Sequence, residues 1–204
     1  MLKDLGRGLL SNSRPLDPWT YQLAKLGGRI IDHRLTALTE IRPLVQEYYQ
    51  HIAPTSECLQ AIYKSSISND QRHLGEEILV RNLKNRFPKE VELGFTLCGP
   101  HRDNFIFTLD NREAQKFGSM GQLKSILLAW KLAEASFLEA RTGRKPVLLM
   151  DDVFSELDRK RADSLLEIFS TLGQVIITSA RDPDLGFHNL GCCLIQLKNN
   201  QNGR

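Results

Sequence analysis

An α/β fold is what this sequence predicts: a parallel sheet between helices in the second half, with a mainly helical lobe ahead of it. Three observations lead there. From residue 118 onward, helical patterns alternate with strand-like apolar runs, the order that builds a parallel sheet. One run, Val147 to Met150, is wholly apolar, as a strand buried on both faces is, and it ends in two adjacent carboxylates, Asp151 and Asp152. Residues 19–48 carry apolar side chains at three- and four-residue spacing, the mark of an amphipathic helix. The division falls near residue 90, with a mainly helical lobe over 1–90 and the α/β part over 91–204.

Each element has a local reason. Residues 1–17 are polar, hold Gly, Ser, Asn and Pro, and read as a lead-in cut from a longer chain. Asp17 suits an N-cap and Pro18 the first helical position. The helix that follows sets Trp19, Leu23, Leu26, Ile30, Ala37, Ile41, Leu44 and Tyr48 on one stripe, which reads as packing against another helix. Gly27-Gly28 and Pro43 predict a kink or break near each. A short strand is expected near Leu59–Tyr63. A second helix runs from Asn69 or Asp70 to about Phe87, with Leu74, Ile78 and Leu83 on one face, and Pro88 ends it. Val91–Cys98 and Asn104–Leu109 read as strands around the tight link Gly99-Pro-His-Arg-Asp103, and Asp110-Asn111 as the next turn.

From Gly118 to about Arg141 the pattern is helical and apolar all round, which predicts a buried helix that Gly143 stops. After the Val147–Met150 strand, Arg159–Leu172 is helical with Asp158 as its cap, and Gln174–Thr178 is a further strand. Cys192–Leu197 reads as a last strand, and residues 198–204 as a polar tail.

Bulk properties narrow the class. A chain of 204 residues makes one domain or two small ones, and 41% hydrophobic residues can build a core. A net charge of +3 is too small to diagnose nucleic-acid binding by itself. The four cysteines form no C-x-x-C, and no histidine stands at zinc-ligand spacing from one, so reduced thiols in a cytosolic protein are expected. The amino terminus lacks the apolar core of a signal peptide, and no run approaches the roughly 20 apolar residues of a membrane span. A soluble cytoplasmic protein with no membrane partner follows.

The chemistry concentrates in two segments. Ligands of open α/β sheets sit beyond the carboxyl ends of the strands, where Asp151 and Asp152 stand. Mg²⁺ takes one or two carboxylates plus phosphate oxygens, so Asp151 can hold it, while Asp152 can accept a proton from attacking water. This is a Walker B arrangement, and Ser155-Glu-Leu-Asp158 follows it. The second segment is Gly118-Ser-Met-Gly-Gln122, at the start of the buried helix. Ser119 can cap, Gly121 leaves room for a ligand, and the helix amino terminus offers N–H groups to an anion. Two readings stay open on this evidence, a plain helix cap and a phosphate contact.

Taken together, the segments resemble the carboxy-terminal half of an ABC-type P-loop ATPase head, and more narrowly the RecF family of bacterial recombination-repair ATPases related to structural-maintenance-of-chromosomes heads. The strings that carry the resemblance are Cys98-Gly-Pro-His-Arg-Asp103, Phe117-Gly-Ser-Met-Gly-Gln122, Lys131-Leu-Ala-Glu-Ala135 and Leu148-Leu-Met-Asp-Asp-Val-Phe-Ser-Glu-Leu-Asp158. It is strongest from Glu92 to Ala180. The resemblance implies an ABC head with an inserted, mainly helical lobe. Two heads close on ATP, and Ser119, Gly121 and Gln122 are the signature residues that reach nucleotide held by the opposite subunit. Asp151 is the Mg²⁺-linked residue, Asp152 the catalytic base, and Ser155 and Asp158 the interface loop. The implied partners are DNA at single-strand/double-strand junctions, a second head, recombination mediator proteins and an amino-terminal ATPase half.

Some positions depart from the family pattern. The phosphate cradle G-x-x-x-x-G-K-[ST] is absent, since no Gly here is followed by Lys. The expectation is therefore a fragment or split-gene product that hydrolyses ATP only with an amino-terminal half. Asn104 stands for a usual Asp, Met120 for a polar signature residue, and Asp152 for Glu at the base position. Two other readings compete: a non-catalytic remnant that binds DNA or a partner, and a stand-alone Mg²⁺ phosphohydrolase.

Overall fold

A computed structural model describes residues 2–6, 17–53, 56–67, 75–154, 157–179, 193 and 195. The fold divides into two compact units, residues 1–137 and 138–204.

The first unit is built on one helix. After the short α1, Leu2–Gly6, comes α2, Asp17–Ile52, which runs for 36 residues without a break. Its buried side chains are Ala24, Ile31, Leu38, Ile41, Val45, Tyr49 and Ile52, whereas Trp19, Leu26 and Ile30 are exposed. The packing stripe is thus displaced by about one residue from the expected one. The glycines explain the choice of face. A Cβ on Gly27 would lie 2.8 Å from Leu79 Cδ2 and 3.1 Å from Pro100 Cδ, and one on Gly28 would lie 2.7 Å from the backbone nitrogen of Glu76. Gly27-Gly28 is therefore a contact point and not a breaker, and it draws the neighbouring Ala24 and Ile31 inward. Pro43 also fails to break the helix; it is exposed, so water can serve the carbonyl it leaves unpaired.

Strand β1, Leu59–Lys64, alternates buried and exposed side chains and pairs antiparallel with β2, Asn104–Leu109, from Leu59 opposite Leu109 to Lys64 opposite Asn104. Both strands had been expected, but β2 was to pair around the Gly99–Asp103 link. Asp110 and Asn111 follow at φ 46° and 65°, the left-handed pair that a type I′ hairpin requires, and return the chain into β3, Arg112–Glu113. β1 precedes residue 90 and its partner β2 follows it, so pairing crosses the division expected there.

Helix α3 spans Glu76–Leu93, and its expected start at Asn69 or Asp70 lies outside the described residues. Pro88 sits inside α3 on its exposed side and does not end it. The expected strand Val91–Cys98 does not form. Gly94, at φ 74°, caps α3 with its N–H on Glu90 O at 2.8 Å, and the buried Glu90 side chain accepts from Leu97 N at 2.7 Å. That capping turns the chain back over the helix end and overrides the apolar alternation. Ala24, Ile31, Leu38, Ala61, Tyr63, Leu79, Leu83 and Cys98 form one core, extended by a tilted aromatic row in which Tyr63 meets Phe105 and Trp130 meets Phe105 and Phe107 at centroid separations of 5.3–5.6 Å.

The short α4, Ala114–Phe117, leads into α5, Met120–Thr142. α5 buries Ser125, Ile126, Leu128, Ala129, Leu132, Ala133 and Ala135 but leaves Met120, Leu127 and Leu138 exposed, so it is not buried all round as expected. Gly143, at φ 67°, ends it.

The second unit contains a parallel pair, β4, Leu148–Asp151, and β5, Val175–Thr178, joined through α6, Arg159–Thr171; Val147 and Leu149 are exposed, so the run is not buried on both faces as expected. Leu148 N to Gln174 O and Asp152 N to Thr178 O, at 2.9 and 3.0 Å, extend the ladder at both ends. α6 buries Ala162, Leu165, Leu166 and Phe169 at helical spacing. The expected last strand, Cys192–Leu197, falls outside the described residues apart from Cys193 and Ile195. Among the described residues no helix is long and apolar enough to cross a membrane.

Candidate functional site

The expected site residues fall into two groups, one in each unit. In the first unit, Ser119 and Gln122 form a reciprocal capping box at the start of α5: Ser119 N–H donates to Gln122 Oε1 at 2.7 Å, and Gln122 N–H donates to Ser119 Oγ at 3.2 Å. The box uses the N–H groups at its two ends. Those of Met120 and Gly121, between them, are the other donors of a first turn with the positive end of a 23-residue helix behind it. Ser119 and Met120 are exposed, and Gly121 presents no side chain.

Gln122 does more than cap. Its Nε2 donates to Glu57 Oε1 at 2.6 Å, and Glu57 Oε2 accepts from Tyr49 OH at 2.9 Å. Gln46 steadies the same stretch by accepting from Leu59 N at 2.6 Å. The start of α5 is thereby fastened to α2 and to the lead into β1. Beside it lies an open cleft of about 360 Å³, lined by Glu57, Asp110, Arg112, Phe117, Gly118 and Gln122, among others. Glu57 was not found by sequence reasoning, because nothing around residue 57 marks it.

In the second unit, Asp151 ends β4 and is exposed; its Oδ1 accepts from the Thr178 hydroxyl. Thr178 was also missed, although a parallel register that pairs Leu148 with Val175 brings the two strand ends together. Asp152 is exposed and stands at φ 45°, a left-handed conformation that Asp and Asn tolerate better than other side chains. Asp158 caps α6, its Oδ1 accepting from Arg161 N at 3.0 Å, as expected. Ser155 lies outside the described residues. Among those residues no group of three or more His, Cys, Asp and Glu side chains is arranged to hold a metal alone. An exposed strand-end carboxylate beside a hydroxyl is instead a hard-oxygen donor set, which fits a Mg²⁺ that draws its other ligands from phosphate and water.

The Cys98–Asp103 segment forms a hydrogen-bonded turn and does not link two strands, because Val91–Cys98 is not one. Asp103 accepts from the Tyr63 hydroxyl and from Ser66 N, and Ser66 Oγ accepts from Gly99 N at 3.0 Å. Burial, aided by the Asp103 carboxylate, raises the Tyr63 phenol from 10.0 to about 12. Burial also pushes the Cys98 thiol up to about 11, with Glu90 adding to it. The folded chain holds the Tyr63 proton more tightly than the unfolded one. That contribution is therefore complete below pH 10 and is lost as pH rises through about 12. Tyr63→Phe is expected to cost about 1–3 kcal/mol in urea denaturation at pH 7, because the half-buried Asp103 loses a donor, and to flatten the alkaline loss of stability.

No family model matches the chain. Curated relatives do. The DNA replication and repair protein RecF of Halothermothrix orenii is 37% identical over 183 residues, which is 88% of this chain and 49% of that protein. RecF of Moorella thermoacetica is 40% identical over 164 residues, covering 80% of this chain and 42% of the relative. The chain thus spans about half the length of the curated relatives it matches. Among solved structures, the recombination mediator protein RecF-ATP in the RecFOR pathway superposes with a TM-score of 0.72 at 28% identity, over 89% of this chain and 49% of that one. By sequence and by fold, the chain belongs to the RecF family, and what it matches is the carboxy-terminal portion of that ABC-type ATPase head.

Proposed function

We propose that the chain serves DNA replication and repair as the carboxy-terminal half of an ATP-driven RecF-type head. The observation that carries this is the Ser119–Gln122 capping box. It holds Ser119 Oγ and the N–H groups of Met120 and Gly121 at the exposed start of α5, an anion-binding arrangement. In the dimer, Ser119 and Gly121 meet the γ-phosphate of ATP seated on the opposite head, and Gln122 keeps the turn in place. Asp151 would hold Mg²⁺, which when bound neutralises phosphate charge. Asp152 accepts the proton of the attacking water. Ser155 and Asp158 form the loop that crosses to the other head. The cis phosphate cradle comes from an amino-terminal half, because no Gly-Lys pair occurs here. DNA at single-strand/double-strand junctions and recombination mediator proteins are the partners of the closed dimer.

The test joins the amino-terminal half of a RecF relative to this chain. Ser119→Arg in that head is expected to leave ATP binding intact and to abolish ATP-driven dimerisation, followed by light scattering. Dimerisation at the unsubstituted level would refute the trans role. The 204-residue chain by itself is expected to show no appreciable ATP turnover.

A further inference from the structure

The turn Gly99–Asp103 stands apart from the ATP half-sites, and the proposed function leaves it unused. The turn is held from inside: Gly99 N by Ser66 Oγ, Pro100 O by Arg34 Nη1 at 2.6 Å, and the Asp103 carboxylate by Tyr63 OH and Ser66 N. Held in this way, the turn presents His101 and Arg102 outward, both exposed. Arg102 Nε donates to Thr96 O at 3.0 Å, and its guanidinium carbon lies 4.8 Å from the centre of the exposed Phe95 ring. His101 Nε2 is 3.0 Å from Thr96 Oγ1. Lys3 covers Gly94 at the foot of the loop. Of the acids nearby, Glu90 and Asp103 bond inward, Glu90 to Leu97 N and Asp103 as described, while Glu92 is exposed three positions before Phe95.

We propose that this loop is a nucleic-acid contact in which Arg102 grips a backbone phosphate, His101 supports it, and Phe95 meets an unstacked base. A guanidinium that commits only Nε to the protein keeps both terminal amino groups for a two-point contact with phosphate. An exposed ring beside that cation, on a rigid turn, suits a single strand, whose bases are free to stack. An acidic peptide would satisfy Arg102 but leave Phe95 without a role. The inference rests on the reading that the chain works on DNA and adds the surface.

The test is fluorescence anisotropy of the complete head, this chain joined to the amino-terminal half of a RecF relative, with ATP and a labelled single-strand/double-strand junction over a range of salt. Arg102→Gln keeps an N–H donor for Thr96 O. It is expected to weaken binding about tenfold and to reduce the log Kd against log salt slope by roughly one. Phe95→Leu is expected to weaken binding to the junction but not to plain duplex. If the unsubstituted head binds and neither variant changes affinity or slope, the loop is not the contact, while the DNA reading survives. If the unsubstituted head binds no DNA, both fall. Competition by polyglutamate as strong as by DNA, and abolished in Arg102→Gln, would give the surface to an acidic protein segment and overturn the proposal.

Discussion

Asp152→Asn, placed in a complete head carrying an amino-terminal half, is expected to lower ATP turnover by about 10²–10⁴, the range for loss of a general base. The substitution suits the position. Asp152 sits at φ 45°, which Asn adopts as readily as Asp, so the backbone has no reason to move. Nucleotide binding and thermal stability should therefore stay near their unsubstituted values while turnover falls. Asp152→Val would not separate these effects, since a β-branched side chain in that conformation adds strain of about 1–3 kcal/mol. Single-turnover hydrolysis, which isolates the chemical step from product release, is the measurement. Turnover within a factor of two of the unsubstituted head would remove Asp152 from the base role.

Gly28→Ala is expected to destabilise the chain, against the sign that helix propensity gives. In an exposed helix interior, replacing Gly by Ala stabilises by roughly 1 kcal/mol. Here the new Cβ would stand 2.7 Å from Glu76 N and 2.9 Å from Glu76 Cα, both backbone atoms at the first turn of α3. No side-chain rotation relieves that contact, so α2 and α3 must separate, and overpacking of this kind costs about 1–3 kcal/mol. Urea denaturation decides the sign. A stabilised variant would show that the approach of α3 to α2 is looser than described. Gly27→Ala should be milder, because its nearest neighbour is the far end of the Leu79 side chain.

The parts of the fold that the sequence reveals are those set by short-range chemistry. Asp158 caps α6, Gly143 ends α5 and Asp110-Asn111 makes the hairpin turn. Each depends on residues within a few positions. What could not be read depends on distant neighbours. The packing face of α2 is decided by Pro100 and Glu76, which contact Gly27 and Gly28 from far along the chain. The fate of Val91–Cys98 is decided by Glu90, whose buried carboxylate bonds Leu97 N and is invisible to a pattern of apolar alternation. Pro43 and Pro88 break nothing because they face solvent, a property set by packing and not by the residue.

The candidate site divides in the same way. Ser119 and Gln122 are spaced as a capping box, and the box forms. Glu57, which fastens Gln122 to Tyr49, precedes it by 65 residues and could not be paired with it in advance. Asp151 was legible as a strand-end acid. Its partner Thr178 needed the register of β5, which periodicity alone does not supply.

The central claim is that this chain supplies the trans half of one ATP site and the acidic residues of another. A mixing experiment with two complete heads tests it most directly. One head carries Asp151→Ala with Asp152→Asn, and the other carries Ser119→Arg. Each alone should be inactive, since both sites of the first head's dimer lack their acids and the second head does not close on ATP with a copy of itself. In the mixed dimer one site loses both contributions, while the other keeps its acids from the second head and its signature from the first. ATP turnover that returns on mixing is the predicted result. Turnover that stays absent in a mixture shown to form mixed dimers, or Ser119→Arg heads that are active unmixed, would contradict it.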